Sequence, residues 1–169
     1  MRLTVLGSGD ASGIPRADCQ DAACACQRAR EGRGPSRGNS CALVEAGGRR
    51  IAIDTGAGGR DCDAVLLTHY HSDHAGRFGE FAARRAWGPD DGLAIDAAGT
   101  PGIDIFPKPA GVKAVKPFAS VRLGAVVCTA LPLNHPIPVH GWAVEADGRR
   151  IAWLTDTHGI PARTLAWLA

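Results

Sequence analysis

One pattern occurs twice in the 169 residues, and it limits the fold more than any other feature of the chain. Ala42-Leu43-Val44-Glu45-Ala46, a Gly47-Gly48 turn and Arg50-Ile51-Ala52-Ile53-Asp54 read as two apolar runs joined in a hairpin. Trp142-Ala143-Val144-Glu145, then Ala146-Asp147-Gly148, then Arg150-Ile151-Ala152-Trp153-Leu154 repeats it almost residue for residue. Each second run leads into a loop opened by an aspartate, Asp54-Thr55-Gly56 and Asp156-Thr157-His158-Gly159. Two similar halves are expected from this. Further strands are predicted over residues 2–6, 65–67, 112–115 and 121–129, with a helix over 77–86 and another starting at Pro161. Strands outnumber helices, so the expected class is an α+β sheet sandwich and not a doubly wound βαβ fold.

Composition narrows the function classes. Net charge is +2, with 45% hydrophobic and 21% charged residues, which fits one globular domain over residues 1–169 and gives no reason to invoke nucleic acid. The basic cluster Arg28, Arg30, Arg33 and Arg37 reads as a solvated loop. No apolar run approaches the ~18 residues of a membrane span, and the first ten residues do not form a signal-peptide core, so the expectation is a cytoplasmic protein with no membrane partner. Six cysteines in such a setting are expected as thiols or metal ligands. The loop Gly7-Ser8-Gly9-Asp10-Ala11-Ser12-Gly13-Ile14-Pro15 lacks the Lys-Ser/Thr of a phosphate-cradling loop, and its glycines miss the dinucleotide spacing by one residue.

The strongest chemical signal is Thr68-His69-Tyr70-His71-Ser72-Asp73-His74, directly after the apolar run Val65-Leu66-Leu67. With 6 His in 169 residues, a chance His-x-His-x-Asp-His has a probability of about 6 × 10⁻⁴. In extended backbone His69 and His71 point the same way and could meet one metal, while Asp73 and His74, past a turn, could reach a second. Mixed imidazole and carboxylate donors suit Zn²⁺, Mn²⁺ or Fe²⁺.

This segment resembles the metal-binding loop of the metallo-β-lactamase-fold hydrolases. Gly7 to Pro15 followed by a cysteine cluster, Ile53-Asp54-Thr55-Gly56, Leu131-Pro132-Leu133-Asn134-His135 and Ile151 to Thr157 fall in the order of that family, and together they resemble its PhnP branch of cyclic phosphodiesterases in the carbon-phosphorus lyase pathway of phosphonate breakdown. The resemblance implies an αββα sandwich. It makes His69, His71 and His135 ligands of a first divalent ion, Asp73 and His74 ligands of a second, and Asp156 a bridge, with Asp54 behind them and Asp73 orienting the attacking water. The ions implied are Mn²⁺ or Zn²⁺. The substrate implied is a small cyclic phosphate, 5-phosphoribosyl 1,2-cyclic phosphate opened to ribose 1,5-bisphosphate, and a homodimer is allowed.

The same resemblance places one more metal histidine and a general-acid histidine beyond Ala169, so the chain is expected to be an incomplete, C-terminally truncated version of the fold. A structural Zn²⁺ on Cys19, Cys24 and Cys26 is implied too, although their spacing departs from the family's. Cys41, Cys62 and Cys128 are expected as ordinary thiols, and His140 and His158, which match nothing in the family pattern, as surface or loop residues. Other readings are an RNA-processing nuclease or a cofactor-biosynthesis relative of the same fold, or a metal-binding fragment without turnover.

Overall fold

The computed structural model describes residues 1–83, 85–90 and 107–169. The first sheet runs in the order β1 (Arg2–Gly7), β2 (Cys41–Ala46), β3 (Arg49–Ile53), β4 (Ala64–Leu66), β5 (Ala86–Gly88), β6 (Val112–Ala114). Its first two pairings are antiparallel and its last three parallel. The second sheet is antiparallel throughout, formed by β7 (Ser120–Leu123), β8 (Val126–Pro132), β9 (His140–Ala146) and β10 (Arg149–Trp153), with β7 and β10 at its edges. Three helices are described: α1 (Ala25–Arg30), α2 (Ser72–Ala75) and α3 (Ala162–Leu168).

The core explains the layering. Val44, Ile51, Ile53 and Leu66 from the first sheet meet Val126, Cys128, Ala130, Trp142 and Val144 from the second in one buried cluster. The Trp142 indole N–H also donates to the Leu67 carbonyl at 3.0 Å, tying the two sheets together. On the other face of the first sheet, Ala52, Val65, Leu67, Tyr70, Ala75, Phe81 and Val112 form a second cluster. Parallel strands buried on both faces read as unbroken apolar runs, and Ala64-Val65-Leu66-Leu67, wholly buried, is such a run.

The twin hairpins form as expected. Turn residues Gly47 and Gly48 have φ of 53° and 69°, and Asp147 and Gly148 have 53° and 68°. Positive φ at both central positions is the type I′ hairpin turn, which Gly, Asn and Asp tolerate best. The registers also agree: Val44 faces Ile51 and Glu45 faces Arg50 in one, while Val144 faces Ile151 and Glu145 faces Arg150 in the other.

Three expectations fail. No continuous helix covers 77–86: residues 78–80 form one 3₁₀ turn, Phe81 is extended, Arg84 lies outside the described residues, and Ala86 opens β5. Phe78 and Phe81 have helical spacing, but Phe81 and Ala86 are buried in the second core, Ala86 as the first residue of the strand that pairs with β4. The run 121–129 is two strands, because Gly124 at φ +64° turns β7 back onto β8. Arg28 and Arg30 belong to helix α1 and not to a loop. Arg30 donates to the carbonyls of Arg16, Ala17 and Cys19, so part of this basic cluster ties down the preceding loop.

Candidate metal centre

Loops at the ends of β3, β4, β8 and β10 converge on one point. Asp54 follows β3, and Thr68, His69 and His71 follow β4. His71 caps α2 in extended backbone, which places Asp73 and His74 in its single turn. His135 follows β8, and Asp156 follows β10. The α2 turn is tied to the first hairpin, since the Thr55 N–H and hydroxyl donate to the His74 carbonyl at 2.8 and 2.7 Å.

Four imidazoles lie together. Ring centroids are 4.6 Å apart for His69 and His71, 4.2 Å for His69 and His74, 4.9 Å for His69 and His135, and 5.1 Å for His71 and His135. His69 Nε2 and His135 Nε2 approach His71 Nδ1 at 2.9 and 3.3 Å. His74 Nε2 faces Asp156 Oδ2 at 2.5 Å and Asp73 Oδ2 at 3.2 Å. Two sets of three could each hold a metal ion, His69 with His71 and His135, and His69 with His74 and Asp156; in each, the ligand atoms lie within 4.8 Å of one another. Asp73 stands beside the second set without joining it.

The ring orientations come from buried partners. Thr68, fully buried, donates its N–H to Asp54 Oδ1 at 2.8 Å and its hydroxyl to the same carboxylate at 2.9 and 3.0 Å. With that proton engaged, Thr68 Oγ1 accepts from His69 Nδ1 at 2.9 Å, which turns the Nε2 lone pair of His69 toward the cluster. Asp54 Oδ2 likewise accepts from His74 Nδ1 at 2.8 Å and leaves His74 Nε2 facing the two outer carboxylates. Thr68 carries no metal-site signal of its own in the sequence. Its place between a buried strand and the first histidine is the one clue there.

Electrostatics follows burial. Desolvation, then the neighbouring imidazoles, holds His69 well below the ordinary histidine pKa, and desolvation lowers His135 as well. Both present neutral rings, the form that ligates a metal. Burial also opposes charge on His74, but Asp54, Asp156 and Asp73 outweigh it and push the ring up to about 12. The His74 hydrogen bond keeps Asp156 below the usual carboxylate range, and at Asp73 the same neighbour overcomes the opposing effect of burial. Three imidazoles beside a fourth that is flanked by carboxylates, and that gives up its Nε2 proton when it ligates, are a donor set suited to divalent Zn²⁺ or Mn²⁺. The buried Nδ1 of His135 has no hydrogen-bond partner among the described residues.

The remaining candidates divide. Cys19, Cys24 and Cys26 do come together, with thiols within 4.8 Å and Cys19 Sγ 3.1 Å from Cys24 Sγ, and could hold a metal. Cys41 and Cys128 are buried and Cys62 is half-buried. His140 is not the surface or loop residue expected. It opens β9, an interior strand, and is 4% exposed, with its N–H on the Thr68 carbonyl at 2.9 Å and its ring edge-on to Trp142. His158 is exposed as expected, yet its ring centroid lies 5.8 Å from that of His135.

Comparison with known proteins agrees with this architecture. The family described as "Beta-lactamase superfamily domain" matches residues 44–169. Zn²⁺-bound PqqB from Methylobacterium extorquens superimposes with a TM-score of 0.72 at 16% identity, covering 100% of this chain and 70% of that one. A diphosphatase from the PhnP family gives 0.66 at 20% identity, covering 98% and 68%. An octanoyltransferase of Porphyromonas gingivalis (strain ATCC BAA-308 / W83) is 35% identical over 85 residues, 45% of this chain but only 17% of that protein. No helix among the described residues is long and apolar enough to cross a membrane. With three quarters of its length inside the family match and the two-sheet architecture of its structural neighbours, the chain belongs to the beta-lactamase superfamily and has the metallo-β-lactamase fold.

Proposed function

We propose that the chain carries the metal centre of a phosphodiester hydrolase whose substrate is a small cyclic phosphate, with 5-phosphoribosyl 1,2-cyclic phosphate, opened to ribose 1,5-bisphosphate, as the specific candidate. The observation that carries the reading is the convergence of His69, His71, His74 and His135 with Asp73 and Asp156, oriented from behind by Thr68 and Asp54. Likeness to a PhnP-family diphosphatase supports phosphorus chemistry. The octanoyltransferase likeness covers under a fifth of that protein and carries no reading of acyl transfer.

In this reading His69, His71 and His135 would hold one ion, Asp73 and His74 the other, and Asp156 both. Two such ions, Mn²⁺ or Zn²⁺, would supply Lewis-acid neutralisation of the charge that develops on the phosphate. The chain's own groups do the rest. Asp54 and Thr68 fix which nitrogen of His74 and His69 faces the cluster. Asp73, kept ionised beside His74, accepts a hydrogen bond from the attacking water and aligns it with phosphorus. Attack forms the new P–O bond and breaks the ring P–O bond; the attacking water gives up a proton to solvent through Asp73, and the departing alkoxide takes one up from solvent.

The test is metal content by mass spectrometry, followed by turnover of bis(p-nitrophenyl) phosphate and a 2′,3′-cyclic nucleotide by the Mn²⁺- or Zn²⁺-loaded chain. Two ions per chain and hydrolysis lost in His69→Ala and His135→Ala are expected. A chain that takes up both ions and cleaves neither ester overturns the reading.

A further inference from the structure

We propose that Asn134 and His158 form a phosphoryl-oxygen subsite on the rim of the metal centre, gripping an oxygen of the bound phosphate that the ions do not hold. The inference rests on the hydrolase reading above and assigns a role to two residues left outside the metal set.

Four observations carry it. First, the position is right: Asn134 directly precedes His135, and the His158 ring lies 5.8 Å from that of His135, on the exposed side of the cluster. Second, the two loops are locked to each other. The His158 N–H donates to the Asn134 carbonyl at 2.8 Å, and the Asn134 N–H donates to Thr157 Oγ1 at 3.3 Å. Thr157 in turn donates to the Gly159 carbonyl at 2.6 Å and accepts the Gly159 N–H at 3.2 Å, closing a tight loop under His158. Such locking fixes a ligand contact in advance and lowers the entropy lost on binding.

Third, both side chains are exposed, and among the described residues neither the Asn134 amide nor the His158 imidazole has a hydrogen-bond partner, so their N–H donors point at no protein acceptor. Fourth, the Asn134 side chain is seated against the His158 loop: a Cβ at Gly159, whose φ is +140°, would lie 3.9 Å from Asn134 Nδ2, ordinary contact distance. The neighbouring outer groups, Asp73 and Asp156, are carboxylates that repel a phosphate, so N–H donors are what an anion needs on this edge. The ligand class is a tetrahedral phosphoryl anion, as ester substrate or released monoester.

The probe is inorganic phosphate, titrated calorimetrically into the metal-loaded 169-residue chain and into Asn134→Ala, His158→Ala and His158→Asn. Metal content and melting temperature are measured on each variant. Each alanine variant is expected to bind phosphate about tenfold more weakly while retaining wild-type metal content, and His158→Asn, which restores an N–H donor, to recover part of the loss. Alanine variants with full metal content and wild-type phosphate affinity overturn the subsite. A wild-type chain that takes up no metal overturns the hydrolase reading and the subsite together, and this shows before any phosphate is added.

Discussion

Hairpins β2–β3 and β9–β10 share a turn conformation, a register and a terminal aspartate in left-handed backbone, Asp54 at φ 60° and Asp156 at φ 50°. Both carboxylates end on the same imidazole, Asp54 on His74 Nδ1 and Asp156 on His74 Nε2. Their surroundings differ. Strand β3 is flanked by β2 and β4, whereas β10 is the edge of its sheet. Asp54 is accordingly buried behind the cluster and orients a ring, while the Asp156 side chain is 36% exposed and faces His74 Nε2, in a set that could hold an ion. One local motif thus serves once as support and once as candidate ligand, and the difference lies in which neighbours cover it.

Stability measured by urea denaturation of the metal-free chain tests this contrast most directly. Asp54→Ala leaves a buried imidazolium short of its main counter-charge and is expected to cost about 3 kcal/mol or more. Asp156→Ala should cost no more than about 1 kcal/mol but cut metal uptake below two ions. Equal losses from the two would mean that both aspartates are structural. Next in size, Ile51 and Ile151 occupy the same register position, but the first is 0% exposed and the second only half-buried. Ile51→Ala is expected to cost about 3 kcal/mol and Ile151→Ala about 1 kcal/mol. Similar values would show that β10 is more deeply covered than its edge position suggests.

The turns should behave alike. Gly48 and Gly148 have φ of 69° and 68°, and a Cβ at either position would meet no atom within 4 Å, so Gly48→Ala and Gly148→Ala should each cost about 1 kcal/mol through backbone strain alone. Unequal costs would reveal that one turn is held from outside the hairpin. Smallest of all, the Arg150–Glu145 pair at 3.1 Å is solvent-screened, and Glu145→Gln should shift stability by less than about 0.5 kcal/mol.

Much of this is legible in the order of residues. Periodicity and turn chemistry mark both hairpins because they act within a few residues. His69, His71, Asp73 and His74 stand out because they are nearly contiguous. Motif order places His135 and Asp156, and the fold brings both to the cluster from 64 and more residues away. The expected helix over 77–86 does not form, because apolar spacing near a turn cannot distinguish a helical face from a 3₁₀ turn and a strand start whose apolar residues enter a second core. His140 is interior against expectation, because nothing local signals that β9 lies between two strands.

Residue order by itself therefore determined the two hairpins, the buried β4 run and the residue types of the candidate metal centre, since steric limits on φ and the two-residue period of a strand are local properties. Only the tertiary structure decided that Asp54 is buried and Asp156 open, that His140 is interior, and that Asn134 and His158 share a rim. Those outcomes depend on which distant segments exclude water from each group, and burial is a property of neighbours that the chain must first bring together.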